Sequence, residues 1–379
     1  MELPFRFEPH TLTREALDLI LTWAFRNGAS DVYIGTGMPI MVGIAGRKIP
    51  VVRRRIARYE IASVLNAIYE RDATAIIGGQ NSLPFSYEIP SGDTRLRYRV
   101  NAGGCDDGGR DGLMAVFRII PSLPPSVESL EIEPELMRGF FPSRGLVLVT
   151  GKTGSGKTTL LAAVVRHILE TTDKAVFTYE SPVEFVYQEL DSLKGIIFQV
   201  EIPRHLKSYA DAVRDSLRNA PDVVLIGEAR DAETIRGVVE EVKTGHTVYT
   251  TLHTDSVVGT VPRMLDVFPH HERDMQKNQI FEALRLIVHQ RLAPGASGGK
   301  RVALREYIHV TPEIREAAFR AGVEDISGVM RKFLPKYGRS IFDAAMEAYR
   351  RGQITAETFE YISSEEGIGF NEIADKDIP

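Results

Sequence analysis

Between residues 12 and 27, apolar side chains recur at helical spacing: Leu12, Ala16, Ile20 and Trp23, with Leu17, Leu21 and Ala24 beside them. The period predicts an amphipathic helix, and Gly28 stands where a C-terminal cap belongs. Short strand-like pieces follow at 31–34, 41–45 and 48–52, with Gly46-Arg47 as a turn between the last two. Residues 59–69 read as a second helix. Residues 84–89, 95–101 and 113–120 read as further strands, with Ser91-Gly92-Asp93 as a turn. Arg95, Arg97 and Arg99 alternate with Leu96, Tyr98 and Val100, so period two places the three arginines on one face. The glycine-rich stretch 103–109 reads as a flexible loop.

The pattern breaks at Pro121-Ser122-Leu123-Pro124-Pro125, where fixed φ angles and missing amide donors block a continuing element. This predicts a small α+β domain over 1–120 and a linker over 121–135. Beyond it the pattern changes. Continuous apolar strands at 146–150, 175–179, 196–200, 223–226 and 247–252 alternate with helices. Such runs predict a parallel sheet covered on both faces, an α/β domain over 136–310. The remainder, 311–379, reads as a polar helical segment ending in an acidic tail.

Composition narrows the function classes. The chain has 379 residues, 43% of them hydrophobic and 26% charged, enough for a core that needs no staple. A single cysteine, Cys105, rules out a disulfide framework or a Cys-rich zinc site within the chain and fits a reducing cytosol. The net charge of −5 argues against a dedicated nucleic-acid binder, so no direct nucleic-acid binding is expected. The first residues show neither the basic nor the apolar region of a signal peptide, and no run approaches the ~20 apolar residues of a membrane span.

The chemistry concentrates at strand ends. Strand 146–150 feeds Gly151-Lys152-Thr153-Gly154-Ser155-Gly156-Lys157-Thr158-Thr159, and an apolar helix follows. This is the context a phosphate-binding loop requires. Main-chain amides and a helix N-terminus would curl around phosphates, Lys157 would reach the β- and γ-phosphates, and the Thr158 hydroxyl would sit on Mg²⁺. The stretch Asp222-Val223-Val224-Leu225-Ile226-Gly227-Glu228 ends a buried strand in an acid suited to polarising an attacking water. The aspartate usual at such a strand end is replaced by Gly227. Strand 175–179 delivers Glu180, with Glu184 nearby as either a helper or a surface acid. His253 follows strand 247–252. It is either a structural histidine or a γ-phosphate sensor, while its spacing from His246 argues against a shared metal. His270, His271 and His289 read as surface or packing residues.

The phosphate loop, Tyr179-Glu180-Ser181-Pro182, Leu225-Ile226-Gly227-Glu228-Ala229-Arg230-Asp231 and Thr244-Gly245-His246 through Leu252-His253-Thr254 occur in one order. That order resembles the Walker A, Asp box, Walker B and His box of the GspE/PilT/VirB11-type secretion ATPase superfamily. Ala29-Ser30-Asp31-Val32, Tyr98-Arg99-Val100-Asn101 and Val116-Phe117-Arg118 resemble its N-terminal domain. Residues 179–187, 201–206 and 301–307 look most like the DotB/TraJ-like branch of type IVB secretion, and the lone cysteine excludes the tetracysteine zinc branch.

The resemblance implies a RecA-like ATPase core over 136–310 with a smaller PAS-like N-terminal domain. It also implies ATP with Mg²⁺ and a homo-hexameric ring with nucleotide at subunit junctions. Glu228 would be the catalytic acid, supported by Glu180 and His253. Arg99, Arg118 and Arg230 are candidates for completing a neighbour's site. The same resemblance implies a cytoplasmic protein, held peripherally at the inner membrane through secretion-complex components. A pilus retraction motor, a nucleic-acid translocase on the same core and a non-catalytic nucleotide-binding scaffold stand as alternatives.

Overall fold

A computed structural model describes residues 8–366, apart from 45, 80, 92–93, 121–122 and 297–300. Gly92 and Asp93 of the expected turn, Pro121 and Ser122 of the expected linker and the acidic tail from 367 therefore lie outside the described residues. The chain groups into two compact units. One comprises the residues up to Pro124 with Glu180–Leu190 and Glu201–His205; the other comprises the rest.

The first unit contains α1 (Arg14–Arg26), β1 (Asp31–Gly35), β2 (Met41–Ile44), β3 (Arg47–Pro50), α2 (Arg58–Tyr69), α3 (Ala73–Gly78), β4 (Leu83–Ser91), β5 (Thr94–Asp106) and β6 (Asp111–Ile120). The strands form an antiparallel sheet in the order β3-β2-β1-β6-β5-β4. Helix α1 starts where the Thr13 hydroxyl accepts the Ala16 amide, and its apolar stripe of Ala16, Leu17, Ile20, Leu21 and Ala24 is buried. The Tyr98 hydroxyl donates to the Leu21 carbonyl at 2.8 Å, bonding sheet to helix.

Two local expectations change here. Residues 103–106 are not loop: Gly103 and Gly104 pair with Met114 and Leu113, so ladder hydrogen bonding overrides glycine's poor strand propensity. The turn is confined to the residues between Asp106 and Asp111, closed by the Asp107 amide on the Arg110 carbonyl. The three arginines of β5 are also not alike. Arg95 and Arg99 are exposed, whereas Arg97 is 1% exposed, with its guanidinium on Glu88 at 2.7 Å and on the carbonyls of Glu184 and Val183 at 2.6 and 3.0 Å.

The second unit holds α4 (Pro134–Gly139), β7 (Gly145–Thr150), α5 (Lys157–Thr171), β8 (Ala175–Glu180), β9 (Ile196–Glu201), α6 (Tyr209–Ser216), β10 (Val223–Ile226), α7 (Ala232–Lys243), β11 (Thr247–Leu252), α8 (Thr260–Leu265), α9 (Arg273–Ala283), β12 (Leu284–Pro294), β13 (Arg301–His309), α10 (Pro312–Arg320), α11 (Ile326–Tyr337), β14 (Gly338–Arg339), α12 (Ile341–Arg350) and α13 (Ala356–Glu365). The last residue of β8 and of β9 groups with the first unit. The sheet order is β14-β13-β12-β7-β11-β10-β8-β9, with β12, β7, β11, β10 and β8 parallel.

Every residue of β7, β10 and β11 is buried, which is why β7 and β10 read as apolar runs, whereas β11, expected as such a run, also buries Thr247, Thr250 and Thr251. The register pairs Thr150 with Leu252, and Ile226 with both Thr250 and Tyr179. The segments after β7, β10 and β11 therefore leave the sheet at one edge, the carboxyl edge where open parallel sheets bind ligands.

Candidate active site

Strand β7 delivers the phosphate loop to that edge. Gly151 leaves the strand at φ 141°, and a Cβ there would lie 2.3 Å from the Gln290 carbonyl oxygen. Gly156 has φ 85°, and a Cβ there would lie 2.9 Å from the Gln290 side-chain Nε2. Both positions need glycine for conformation and for room. Lys157 opens α5 and is 8% exposed. Its ammonium donates to the carbonyls of Gly151 and Lys152 at 2.6 and 3.1 Å. Burial pushes its pKa below the ordinary lysine range, while the Glu228 carboxylate works the other way. The Ser155 hydroxyl is buried without a hydrogen-bond partner. A buried ammonium resting on its own loop's carbonyls, an unpartnered hydroxyl and a helix N-terminus form a donor-rich cradle that fits a polyphosphate.

Strand β10 ends at Ile226. The Thr251 hydroxyl donates to the Gly227 carbonyl at 2.6 Å and the Ala229 amide to the Thr251 carbonyl at 3.2 Å, fixing the exit of the chain. Glu228 lies between these anchors, a quarter exposed. The His253 Nε2 stands 3.8 Å from one Glu228 oxygen and an Arg230 nitrogen 4.0 Å from the other, close enough for charge but beyond hydrogen-bond length. Arg230 is largely solvent-exposed. Asp231 accepts the Thr234 amide at 2.9 Å and caps α7. Gly227, where an aspartate is usual, has its own reason: a Cβ would lie 2.7 Å from the Tyr209 hydroxyl and 3.1 Å from the Tyr179 carbonyl.

The phosphate loop, Glu228, Arg230 and His253 thus belong to one unit. Glu180, Arg99 and Arg118 belong to the other. Glu180 ends β8, buried, and its carbonyl accepts the Ile202 amide at 2.8 Å. Arg99 and Arg118 are directly opposite on β5 and β6. Like charges in that position repel, and Asp31, opposite Arg118 on β1, offsets this with an ion pair at 2.8 Å. Burial works against the Asp31 charge, but the Ser30 hydroxyl and the Arg118 guanidinium hold its carboxyl below the usual range.

Two residues beside the loop were not singled out as site residues by the sequence, where His289 read only as a surface or packing histidine. His289 and Gln290 sit side by side on β12, a strand without a continuous apolar run. His289 is 5% exposed, with its Nδ1 3.4 Å from the Thr150 hydroxyl, and burial depresses its pKa to about 4. Gln290 donates to the Ser155 carbonyl at 2.7 Å.

The profile of the family described as "Type II/IV secretion system protein" matches residues 126–332. The type IV pilus retraction ATPase PilT of Pseudomonas aeruginosa is 37% identical over 300 residues, covering 78% of this chain and 83% of that protein. The crystal structure of the Legionella pneumophila ATPase DotB superposes with a TM-score of 0.90 at 36% identity, covering 95% of this chain and 98% of that one. The pilus retraction motor PilT with bound ADP superposes with a TM-score of 0.77 at 28% identity, covering 91% and 96%. The chain belongs to the type II/IV secretion system protein family, within the GspE/PilT/VirB11-type secretion ATPase superfamily.

Proposed function

We propose that this chain works as a homo-hexameric ATPase that powers substrate delivery or machine assembly in a type IVB secretion system. The chain is a nucleotide-binding enzyme of the secretion ATPase kind. The observation that carries the chemistry is the buried Lys157 ammonium in a glycine loop, on the same sheet edge as Glu228. In this reading Lys157 exchanges its loop carbonyls for the β- and γ-phosphate oxygens of ATP, and the amides from Gly151 to Thr159 hold the rest. The Thr158 hydroxyl would hold a Mg²⁺, which would supply neutralising charge to the phosphates when bound. Glu228 takes the proton of the attacking water, and His253 senses the γ-phosphate beside it. Glu180 supports the site. Arg99, Arg118 and Arg230 are the candidates for completing a neighbouring subunit's site, and Arg118 would have to leave Asp31 or share it.

Likeness to DotB over nearly the whole chain supports the type IVB client. It also supports a location at the cytoplasmic face of the inner membrane, held by secretion-complex components. Among the described residues no helix is long and apolar enough to cross a membrane. The identity to PilT favours a second reading, a pilus retraction motor. We also propose the division into a PAS-like domain over 1–120, a linker over 121–135, a RecA-like core over 136–310 and a helical segment over 311–379.

The test is a complementation pair in the source cell. Removing the protein should abolish delivery of secreted substrate and leave pili unchanged, and a Glu228→Gln copy should fail to restore delivery. Extended, non-retracting pili with normal secretion would establish the retraction motor instead. Purified Lys157→Ala protein that binds and hydrolyses ATP normally would end both readings.

A further inference from the structure

We propose that Gln290 is a positioning residue for the phosphate loop and that Arg305, bonded to its other end, ties the loop's posture to residues 130–133. The inference rests on reading the loop around Lys157 as the nucleotide site. Three points of the loop meet this one residue. Its Nε2 donates to the Ser155 carbonyl at 2.7 Å and lies 2.9 Å from where a Cβ on Gly156 would be, and its backbone carbonyl oxygen lies 2.3 Å from where a Cβ on Gly151 would be. Its Oε1 accepts from the Arg305 Nε at 2.9 Å.

The orientation of the amide is fixed by chemistry. A guanidinium only donates and a carbonyl only accepts, so the oxygen must face Arg305 and the nitrogen Ser155. Gln290 and Arg305 are both 3% exposed, so neither arm exchanges readily with water, and an unmade bond would leave a buried polar group.

Arg305 spends its other nitrogens on one short segment. It donates to the Leu130 carbonyl at 2.9 Å, the Glu131 carbonyl at 3.4 Å and the Glu133 carboxylate at 3.1 Å. Glu131 stands at φ 46°, a left-handed conformation that a glutamate adopts only when its surroundings hold it there. The guanidinium grips both flanks of that strained residue. A shift of the phosphate loop at Ser155 therefore reaches residues 130–133 through the Ser155–Gln290 bond, the Gln290–Arg305 bond and then the guanidinium's own bonds to that segment.

The experiment uses the purified full chain with fluorescent ADP titration, steady-state ATP hydrolysis and thermal melting without nucleotide. Gln290→Leu, which fills the space but makes neither bond, should raise the Kd for ADP and the KM for ATP about tenfold with kcat within about twofold. Arg305→Met should raise both constants about threefold, and adding it to Gln290→Leu should change nothing more, because the path is already cut. Lower melting temperatures with unchanged Kd and KM would show that Gln290 only packs and would overturn the proposal. Additive effects in the double variant would overturn the coupling. Should Gln290→Leu fail to fold, Arg305→Met decides alone, and an unaltered ADP affinity refutes it. Lys157→Ala is run alongside. If it also binds ADP normally, the nucleotide site has been misplaced, an outcome distinct from a Lys157-dependent site that ignores Gln290.

Discussion

His289 and Glu306 are direct cross-strand partners on β12 and β13, both buried, and burial drives their pKa values in opposite directions. His289 falls to about 4 and Glu306 rises to about 7. Between those values the imidazole is neutral and the carboxyl is mostly protonated. Two groups that read on paper as an ion pair are therefore both uncharged over most of the acidic range. Each has another partner: the Thr150 hydroxyl for His289 and the Val257 amide, at 2.9 Å, for Glu306.

For Glu306 the sign follows from a carboxyl whose folded pKa exceeds its unfolded one. The folded state favours the protonated form, so the contribution to stability is full below about 4.5 and is lost as pH rises through about 7. Glu306→Gln keeps an acceptor for Val257 and cannot ionise. Urea midpoints at pH 6 and pH 8.5 should show the parent losing more stability than the variant, by on the order of 1–3 kcal/mol. Parallel pH profiles would contradict this environment for Glu306.

His289 gives the mirror image. Its folded pKa is depressed, so its contribution is complete above about 6.5 and is lost as pH falls through about 4. His289→Asn keeps a polar group near Thr150 and does not titrate. The stability of the variant relative to the parent should therefore rise steadily as pH falls from 6.5 to 4, read as the difference in urea midpoints. A difference that stays flat across this range would mean that His289 is solvated.

These two residues also mark where the sequence stopped being legible. Strands β7 and β10 were readable because burial on both faces demands apolar runs, and the phosphate loop because glycine, lysine and threonine must follow such a strand in register. Strand β12 interleaves Arg285, His289, Gln290 and Arg291 among its apolar residues, since it closes the parallel core and pairs antiparallel with β13. Its polar side chains are satisfied by partners such as Ser155, Arg305 and Thr150, distant in sequence, so no local period records them. Arg97 was legible as a strand arginine but not as a buried one, because its carbonyl partners Val183 and Glu184 lie more than 80 residues away.

Gly227 presents a test of the missing aspartate. A side chain there collides first with the Tyr209 hydroxyl and then with the Tyr179 carbonyl. Gly227→Ala should cost ~1–3 kcal/mol of stability, the range for overpacking. Tyr209→Phe in the same chain should recover part of that loss, because it removes the atom at 2.7 Å. The four-variant melting cycle reads the coupling. Simple additivity of the two substitutions would show that Tyr209 is not what excludes a side chain.

Glu60 tests the first unit by itself. Its carboxylate accepts the Leu12 amide at 2.7 Å, the Ala57 amide at 2.9 Å and two Arg54 nitrogens at 2.7 and 3.0 Å, all at 2% exposure. Arg54 leads in holding the carboxyl down, to about 2, with the amides adding to it against the cost of burial. The folded pKa is depressed, so the stabilisation is complete above about 4.5 and disappears as pH falls through about 2. Glu60→Gln keeps the shape and one acceptor but leaves Arg54 without its charge partner. At pH 7 the variant should be less stable by on the order of 2–3 kcal/mol, and the deficit should shrink as the pH approaches 3. Amide hydrogen exchange of α1 and α2 locates the effect, since Glu60 bonds the chain just before each helix. A deficit that stays constant from pH 7 to 3 would show that packing, and not the charge on Glu60, holds these helix starts.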